Sequence, residues 1–495
     1  MKNDSTLTIT SGSNLERGIK TTRKNLRHSR SEKNEKLPQS CEKLWRRHSV
    51  LGKIPNLEFS VVEHALQALL GANGIRVSIR RLDENGLISI HQIVNENGIF
   101  AKTRIDTEFR IIAQSAIEAI NSAIEKAESA QLPNAKTIMK LGERKVSQRS
   151  ERSKNSTPAE CFATYCNWGF NYVGFDDLKL ETEPKNKTIV AVVGTGVKDG
   201  TYQFWNAPSD FEYSELGVVC KKGTEGFSFC HGKIGSDADD LNGHDTLYSK
   251  NLFRYGKIFG GTHHNPNNSL EIIRIRILDE AQWGCLADAV TAWRLLNLIS
   301  KTFLDNQTII VNNSFGFSGK TSGMNESATA NERKILEEAF QAGSFSNLLF
   351  VSSAGNGGKN LDDTENVVLP AQLTHENTLT VAALLPSNEI ALRSNYGEQT
   401  VSIAAPGQAL CKEIRQDEMQ QFCGWSTSAA SFYVTAAAAV LLSQSDNRLS
   451  PNQIKNALEF TSKPVAAKRR FTRTIGGGAL DLAAALEFCK TNYFS

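Results

Sequence analysis

The stretch TIVAVVGTGV, residues 188–197, decides the reading of this chain. Its first six positions carry no polar/apolar alternation and run straight into Gly-Thr-Gly. A strand with one wet face alternates, whereas one that stays apolar along its length is covered on both faces. Further buried-strand runs are EIIRIRIL (271–278), TIIVNNS (308–314), LLFVSSA (348–354) and TLTVAAL (378–384), most of them continuous in apolar character, with helical patterns between. Such strands alternating with helices predict an α/β domain over residues 159–489, built on a doubly wound, mostly parallel sheet.

In open α/β sheets, ligands gather at the carboxyl ends of strands. The residues there are Gly194-Thr195-Gly196, Asn313-Ser314-Phe315-Gly316 and Ala354-Gly355-Asn356-Gly357. Between them lies Asn242-Gly243-His244-Asp245-Thr246, and Gly424-Trp425-Ser426-Thr427-Ser428-Ala429 opens an Ala-rich apolar helix. A serine at a helix start serves as an N-cap, and it also gains the partial positive charge that favours a developing anion. Asn356 offers an amide donor of the kind that forms an oxyanion hole.

In this order the blocks resemble the subtilisin-like serine peptidases. VAVVGTGV (190–197) is similar to the strand bearing the family's catalytic acid, NGHDT (242–246) to its histidine motif, and VNNSFG (311–316) to its substrate-binding strand. SSAGNGG (352–358) resembles the oxyanion loop, and SNYGEQTVSIAAPG (394–407) the segment before the nucleophile. GWSTSAA (424–430) resembles the serine motif, and residues 449–486 the closing helices. The resemblance implies a subtilisin-like fold, Ser426 as nucleophile, His244 as general base and Asn356 as oxyanion donor. It further implies that Ser314, Phe315 and Gly316, with Gly355, bind an extended polypeptide substrate.

The acid position departs from the family, because it holds Gly194. Losing the triad carboxylate costs about 10⁴ in turnover. Trp425, Asp245 and Ala430 also depart from the pattern beside the catalytic groups. Two functions therefore stand open. One is a serine endopeptidase whose triad acid is missing or substituted; the other is an inactive pseudopeptidase that binds extended peptides. Asp199, Asp239, Asp240 and Asp245 are the nearby carboxylates. Asp245 adjoins the histidine, but adjacent side chains on a helix diverge by about 100°. Restoring a carboxylate through Gly194→Asp is expected to raise activity.

The 495-residue chain is 40% hydrophobic and 22% charged, within the range of globular proteins. A net charge of +3 argues against nucleic acid or an anionic membrane as the main partner. No apolar run approaches the roughly 20 residues of a membrane-spanning helix, and no secretory signal is recognised at the N-terminus. The expected location is cytoplasmic, or exported by a route without such a signal. The nine cysteines have irregular spacing and are read as reduced thiols, with Cys220–Cys230 a conceivable local bridge. No cofactor or metal is expected; His263-His264 reads as a solvated pair in an Asn-rich loop.

Residues 1–50 read as a disordered basic arm with 12 Lys and Arg against 5 Asp and Glu. Residues 51–131 read as a small α/β module, propeptide-like or regulatory, in the order helix, three strands, helix. Residues 132–158 read as a polar, basic linker. Limited trypsin digestion is therefore expected to cut first within 132–158 and leave a core from about residue 159 onward. Electrophoresis with terminal sequencing checks this, and early cuts confined to 185–488 would count against the boundary.

Overall fold

A computed structural model of the chain describes residues 49–54, 59–71, 77–83, 85–92, part of 113–121, 143–145, 168–175, 178 and, between 186 and 494, all but 199–202, 231–233, 255–269, 319–325, 364–366, 409–424 and 467–474. The chain divides into two compact units, Met1–Glu143 and Arg144–Ser495.

In the first unit, β1 (Ser49–Lys53) precedes α1 (Phe59–Gly71), β2 (Val77–Arg81) and β3 (Leu87–Gln92). The strands form an antiparallel sheet in the order β1-β3-β2. Leu66 and Leu70 of α1, Ile79, Ile88 and Ile90 of the sheet, and Ala116 and Ile120 share one buried cluster. The strands expected at 75–82 and 87–94 are thus β2 and β3, while that expected at 98–105 lies outside the described residues. The opening element differs from expectation, since a strand stands before the helix. SVLGK is too short to show a period, and its Gly52 leaves room for Ile117, whose Cδ1 would lie 3.2 Å from an added Cβ.

The second unit contains α2 (Trp168–Val173), β4 (Thr188–Gly194), β5 (Gly226–Ser228), α3 (His244–Arg254), β6 (Leu270–Arg276), α4 (Leu286–Phe303), β7 (Ile309–Asn313), α5 (Glu326–Gln341), β8 (Leu348–Ser353), β9 (Thr378–Leu384), β10 (Ile403–Pro406), α6 (Thr427–Gln444), α7 (Pro451–Phe460) and α8 (Leu482–Asn492). Seven strands form one parallel sheet in the order β10-β9-β8-β7-β4-β6-β5. Alternate residues of each strand serve opposite helix layers. Val190, Val192, Ile310, Leu349 and Val351 join the core that contains α6. On the other face Phe350 and Asn313 meet Trp293 of α4. This two-sided cover is why the strands lack alternation.

Helix α6 is buried from Thr427 to Ser443, and its run Ala436–Ala439 lets it lie close to the sheet. Polar groups stitch it in place. Asn312 Nδ2 donates to Thr435 Oγ1 at 2.9 Å, and the Ser314 and Ser431 hydroxyls meet at 2.8 Å. A capping box at Ser450 and Gln453, with Pro451 in the first turn, fixes the start of α7. From β4 the chain first builds β5 and β6 on one side, then crosses to β7, β8, β9 and β10 on the other. The order of strands therefore switches between β4 and β7, where the carboxyl-end crevice of such a sheet opens. Gly194 and Ser314 stand at that crevice.

Cys220 and Cys230 are free thiols, so they do not form the conceivable bridge. Among the described residues no helix is long and apolar enough to cross a membrane, and no three His, Cys, Asp or Glu side chains gather as a metal site.

Trp293 is fully buried; it donates to Asn313 Oδ1 at 3.1 Å and packs edge-on against Phe345 and Phe350. Trp293→Ala is expected to cost about 3–5 kcal/mol of stability, through lost burial plus a cavity. Chemical denaturation checks this, and a loss below about 1 kcal/mol would show that the α4 layer is not packed as described.

Candidate active site

The histidine is positioned by charges. Arg274 and Arg276 lie on one face of β6, a largely apolar strand. Arg274 pairs with Asp239 at 2.8 Å, and Arg276 with Asp237 at 3.2 Å, so the loop before α3 is tied to the sheet. Asp240 then caps the helix. Its Oδ1 accepts from the Asn242 and Gly243 N–H groups at 2.9 and 2.7 Å, and its Oδ2 from the Thr246 N–H at 2.9 Å and the Thr246 hydroxyl at 2.8 Å. These backbone donors are ones a helix start leaves without intrahelical partners. Gly243 turns the chain into the helix at φ +91°. Two of the four nearby carboxylates are thereby committed elsewhere, and Asp199 lies outside the described residues.

The fourth, Asp245, meets the histidine, contrary to the expectation that adjacent side chains diverge. His244 Nδ1 and Asp245 Oδ1 are 2.6 Å apart. Nδ1 is only two bonds from Cβ, so a neighbouring carboxylate reaches it although the far nitrogen would be out of range. The second oxygen of Asp245, Oδ2, accepts from the Thr195 N–H at 2.7 Å, and the Asp245 N–H donates back to Thr195 Oγ1 at 3.2 Å. The Asp245 side chain is 1% exposed and that of His244 11%. Burial raises the Asp245 carboxyl above its ordinary value of 3.8 and the charge of Asp240 adds to this, while the bonds to His244 and Thr195 pull the other way.

Gly194 belongs to the same arrangement. It shares the strand face of Val190 and Val192, which is turned towards α3 and α6. A Cβ built on it would lie 2.1 Å from Asp245 Oδ2 and 3.0 Å from its Cγ. The obstacle to a side chain at 194 is the Asp245 carboxylate. A side chain placed there by Gly194→Asp would meet this carboxylate, a conflict that the expected gain in activity does not include.

Ser426 is the N-cap of α6, and its Oγ accepts from the Ser428 N–H at 3.1 Å. Its own N–H donates to Gly407 O at 2.7 Å, which fixes the backbone entering the helix. The hydroxyl of Tyr248, one helical turn beyond His244, is hydrogen-bonded with Ser426, and burial pushes the Tyr248 phenol up to about 12. The Tyr248 ring meets the His244 ring edge-on at 4.8 Å and stacks on Phe432 at 5.8 Å. Tyr248 thus touches both His244 and Ser426 from the core side. Among the described residues no hydrogen bond joins His244 to Ser426 directly.

Asn356 is held beside Ser426 through Thr427. Both the N–H and the hydroxyl of Thr427 donate to Asn356 Oδ1 at 3.0 Å. The amide is thereby oriented with its oxygen engaged and its NH₂ group left to donate. Asn395 shapes the loop that carries Asn356. Its Oδ1 accepts from the Gly357 and Lys359 N–H groups, and its Nδ2 donates to Ala354 O at 2.7 Å. Gly355 needs to be glycine here, since its φ is +97° and an added Cβ would lie 2.7 Å from Asn395 Nδ2.

Residues 314–316 follow β7 outside the ladder and are buried, and the Ser314 carbonyl accepts from Ser428 Oγ at 3.4 Å. The Phe315 side chain is buried against Phe317 rather than presented to a pocket. Trp425 packs edge-on against Trp168 of α2 at 6.2 Å. Thr195, Tyr248, Asn395 and Thr427 take part without having been singled out from sequence. Thr427 alone carried a signal, as the residue after the helix-capping serine.

Gly194→Ala is expected to destabilise the protein by about 1–3 kcal/mol, the range for overpacking a filled site, and to lower activity by displacing Asp245 from His244. Thermal unfolding beside a turnover assay checks both. A neutral effect on each would mean that Asp245 does not fill this space.

Residues 186–478 match the sequence profile of the Subtilase family. A subtilisin-like protease 2 of Plasmodium falciparum is 24% identical over 235 residues, 47% of this chain, and the aligned stretch spans only 16% of that relative's length. The crystal structure of the epidermin leader peptide processing serine protease from Staphylococcus aureus is similar in fold, with a TM-score of 0.51 at 17% identity, covering 90% of this chain and 99% of that one. A serine-to-alanine mutant of the same enzyme gives a TM-score of 0.50, again at 17% identity, over 89% of this chain and 99% of that one. With ordered strands, capped helices and a profile match over more than half its length, this chain belongs to the subtilase family of serine peptidases.

Proposed function

We propose that the chain is a serine endopeptidase that hydrolyses peptide bonds of extended polypeptides. Ser426 is the nucleophile, His244 the general base and Asn356 the oxyanion donor. The observation that carries this reading is the locked Asn356 amide, whose oxygen is held by Thr427 next to Ser426 and whose NH₂ group stays available. A scaffold that only bound peptides would have no use for a preorganised donor beside a serine, whereas acyl transfer draws about 3–4 kcal/mol from one.

The reaction follows from the groups present. A substrate backbone lies along residues 314–316. The Ser426 hydroxyl attacks the carbonyl carbon as its proton passes to His244 Nε2, and the carbonyl oxygen, now an anion, takes a hydrogen bond from Asn356 Nδ2. His244 returns the proton to the leaving amine, and water repeats the sequence on the acyl-enzyme. The partial positive charge at the start of α6 favours the same anion. For substrate class we propose no more than an unstructured polypeptide.

A fluorophosphonate probe is expected to label wild type on Ser426. Ser426→Ala is expected to lose both labelling and hydrolysis of an unfolded polypeptide. If wild type and Ser426→Ala behave alike in both assays, the protein is a pseudopeptidase whose cleft binds without cutting.

A further inference from the structure

We propose that Asp245 is the acid of the triad, relocated from the end of β4 to the helix residue that follows the histidine, with Gly194 as the residue that makes room for it. The proposal rests on the reading of Ser426 and His244 as nucleophile and base, and it names the residue that positions the base.

Three observations carry it. The first is contact: Asp245 Oδ1 lies 2.6 Å from His244 Nδ1, the nitrogen that must hold its proton if Nε2 is to accept one from Ser426. The second is anchoring, since Asp245 Oδ2 is held by the Thr195 N–H at 2.7 Å and the whole side chain is buried. The third is exclusion. A side chain at 194 would begin 2.1 Å from Asp245 Oδ2, so positions 194 and 245 compete for one volume. A carboxylate enters that volume from either position but not from both at once. Gly at 194 and Asp at 245 form a coupled exchange, in which the backbone source of the charge has changed and its place has not. Asp239 is paired with Arg274 and Asp240 with the first turn of α3, so neither competes for the role.

Asp245 acts through His244 and touches no substrate. It holds the ring with the proton on Nδ1 and stabilises the imidazolium once Nε2 has taken the serine proton. The titratable groups facing it are His244, Asp240 and Tyr248. A carboxyl raised by burial binds its proton more tightly in the folded state. Its contribution to stability is therefore lost as pH rises from about its ordinary value of 3.8 through the folded value. Asp245→Asn removes that loss, so its stability relative to wild type should improve over the same interval.

The test is a four-member cycle in the full chain: wild type, Asp245→Gly, Gly194→Asp, and the exchange Gly194→Asp with Asp245→Gly. Asp245→Gly is expected to lose up to about 10⁴ in kcat with little change in KM, Gly194→Asp to lose activity through crowding, and the exchange to recover most of it. Asp245→Asn should fold, match or exceed wild type in thermal stability near neutral pH, and lose kcat. The second readout needs no turnover. Proton NMR of wild type should show a far-downfield His244 ring N–H, absent in Asp245→Asn and Asp245→Gly and restored in the exchange. If Ser426→Ala proves no different from wild type but this resonance behaves as described, the peptidase reading fails while the assignment of Asp245 as partner of the base stands. If Asp245→Asn keeps wild-type kcat, or the resonance is missing from folded wild type, the proposal is overturned.

Discussion

One buried carboxylate, shared between His244 and the Thr195 N–H, is the constraint around which the site is organised. An ionised side chain removed from water is costly unless its oxygens are paired. Here each oxygen has a partner, one the His244 ring and the other a backbone donor at the end of a central strand. The arrangement leaves no room for a second group, which is why the strand ends in glycine. Burial still raises the Asp245 carboxyl, so the fold gives up some stability to keep a charge beside the histidine.

The rest of the unit delivers its parts to this point. The parallel sheet sets the ends of β4, β7 and β8 side by side and brings Thr195, Ser314 and Asn356 to one rim. Two arginines inside a largely apolar strand tie down the loop before α3, and Asp240 caps the start of that helix at His244. The long apolar helix α6 crosses beneath, registered by the Asn312, Ser314, Ser431 and Thr435 contacts, and places Ser426 at its positive end. Polar groups within apolar layers do the aligning. Unlike hydrophobic contacts, which tolerate sliding, they are directional and costly to leave unmet.

Legibility from sequence followed the strength of the local signal. All five strands read from apolar runs are present, because cover on both faces writes a largely unbroken pattern, interrupted in β6 by Arg274 and Arg276. The two edge strands were not read as strands. GFS at 226–228 is too short for any period, and IAAP at 403–406 ends in proline. In the first unit, β1 went unread for the same reason of length. Ser426 was visible both as a helix-opening serine and as part of an ordered set of blocks. Asn395 and Tyr248 carried no such mark; an asparagine and a tyrosine in mid-chain acquire meaning only from what folds against them.

What the sequence by itself determined is the class of fold and the order of the blocks. The fold class follows from unbroken apolar runs, a local property of the chain, whereas the roles proposed for His244, Ser426 and Asn356 rest on the resemblance of the ordered blocks to a known family. That Asp245 meets both His244 and the space at Gly194 was decided only by tertiary structure. Read along the chain, Gly194 is a loss and Asp245 a neighbour pointing away from the histidine. In the fold, the end of β4 and the first turn of α3 face one volume, and the missing side chain of one residue is filled by the carboxylate of the other. Fifty positions separate Thr195 from Asp245, so no local pattern could have shown that they meet. Which atoms fill a shared space depends on packing, and packing is settled only when distant segments close on each other.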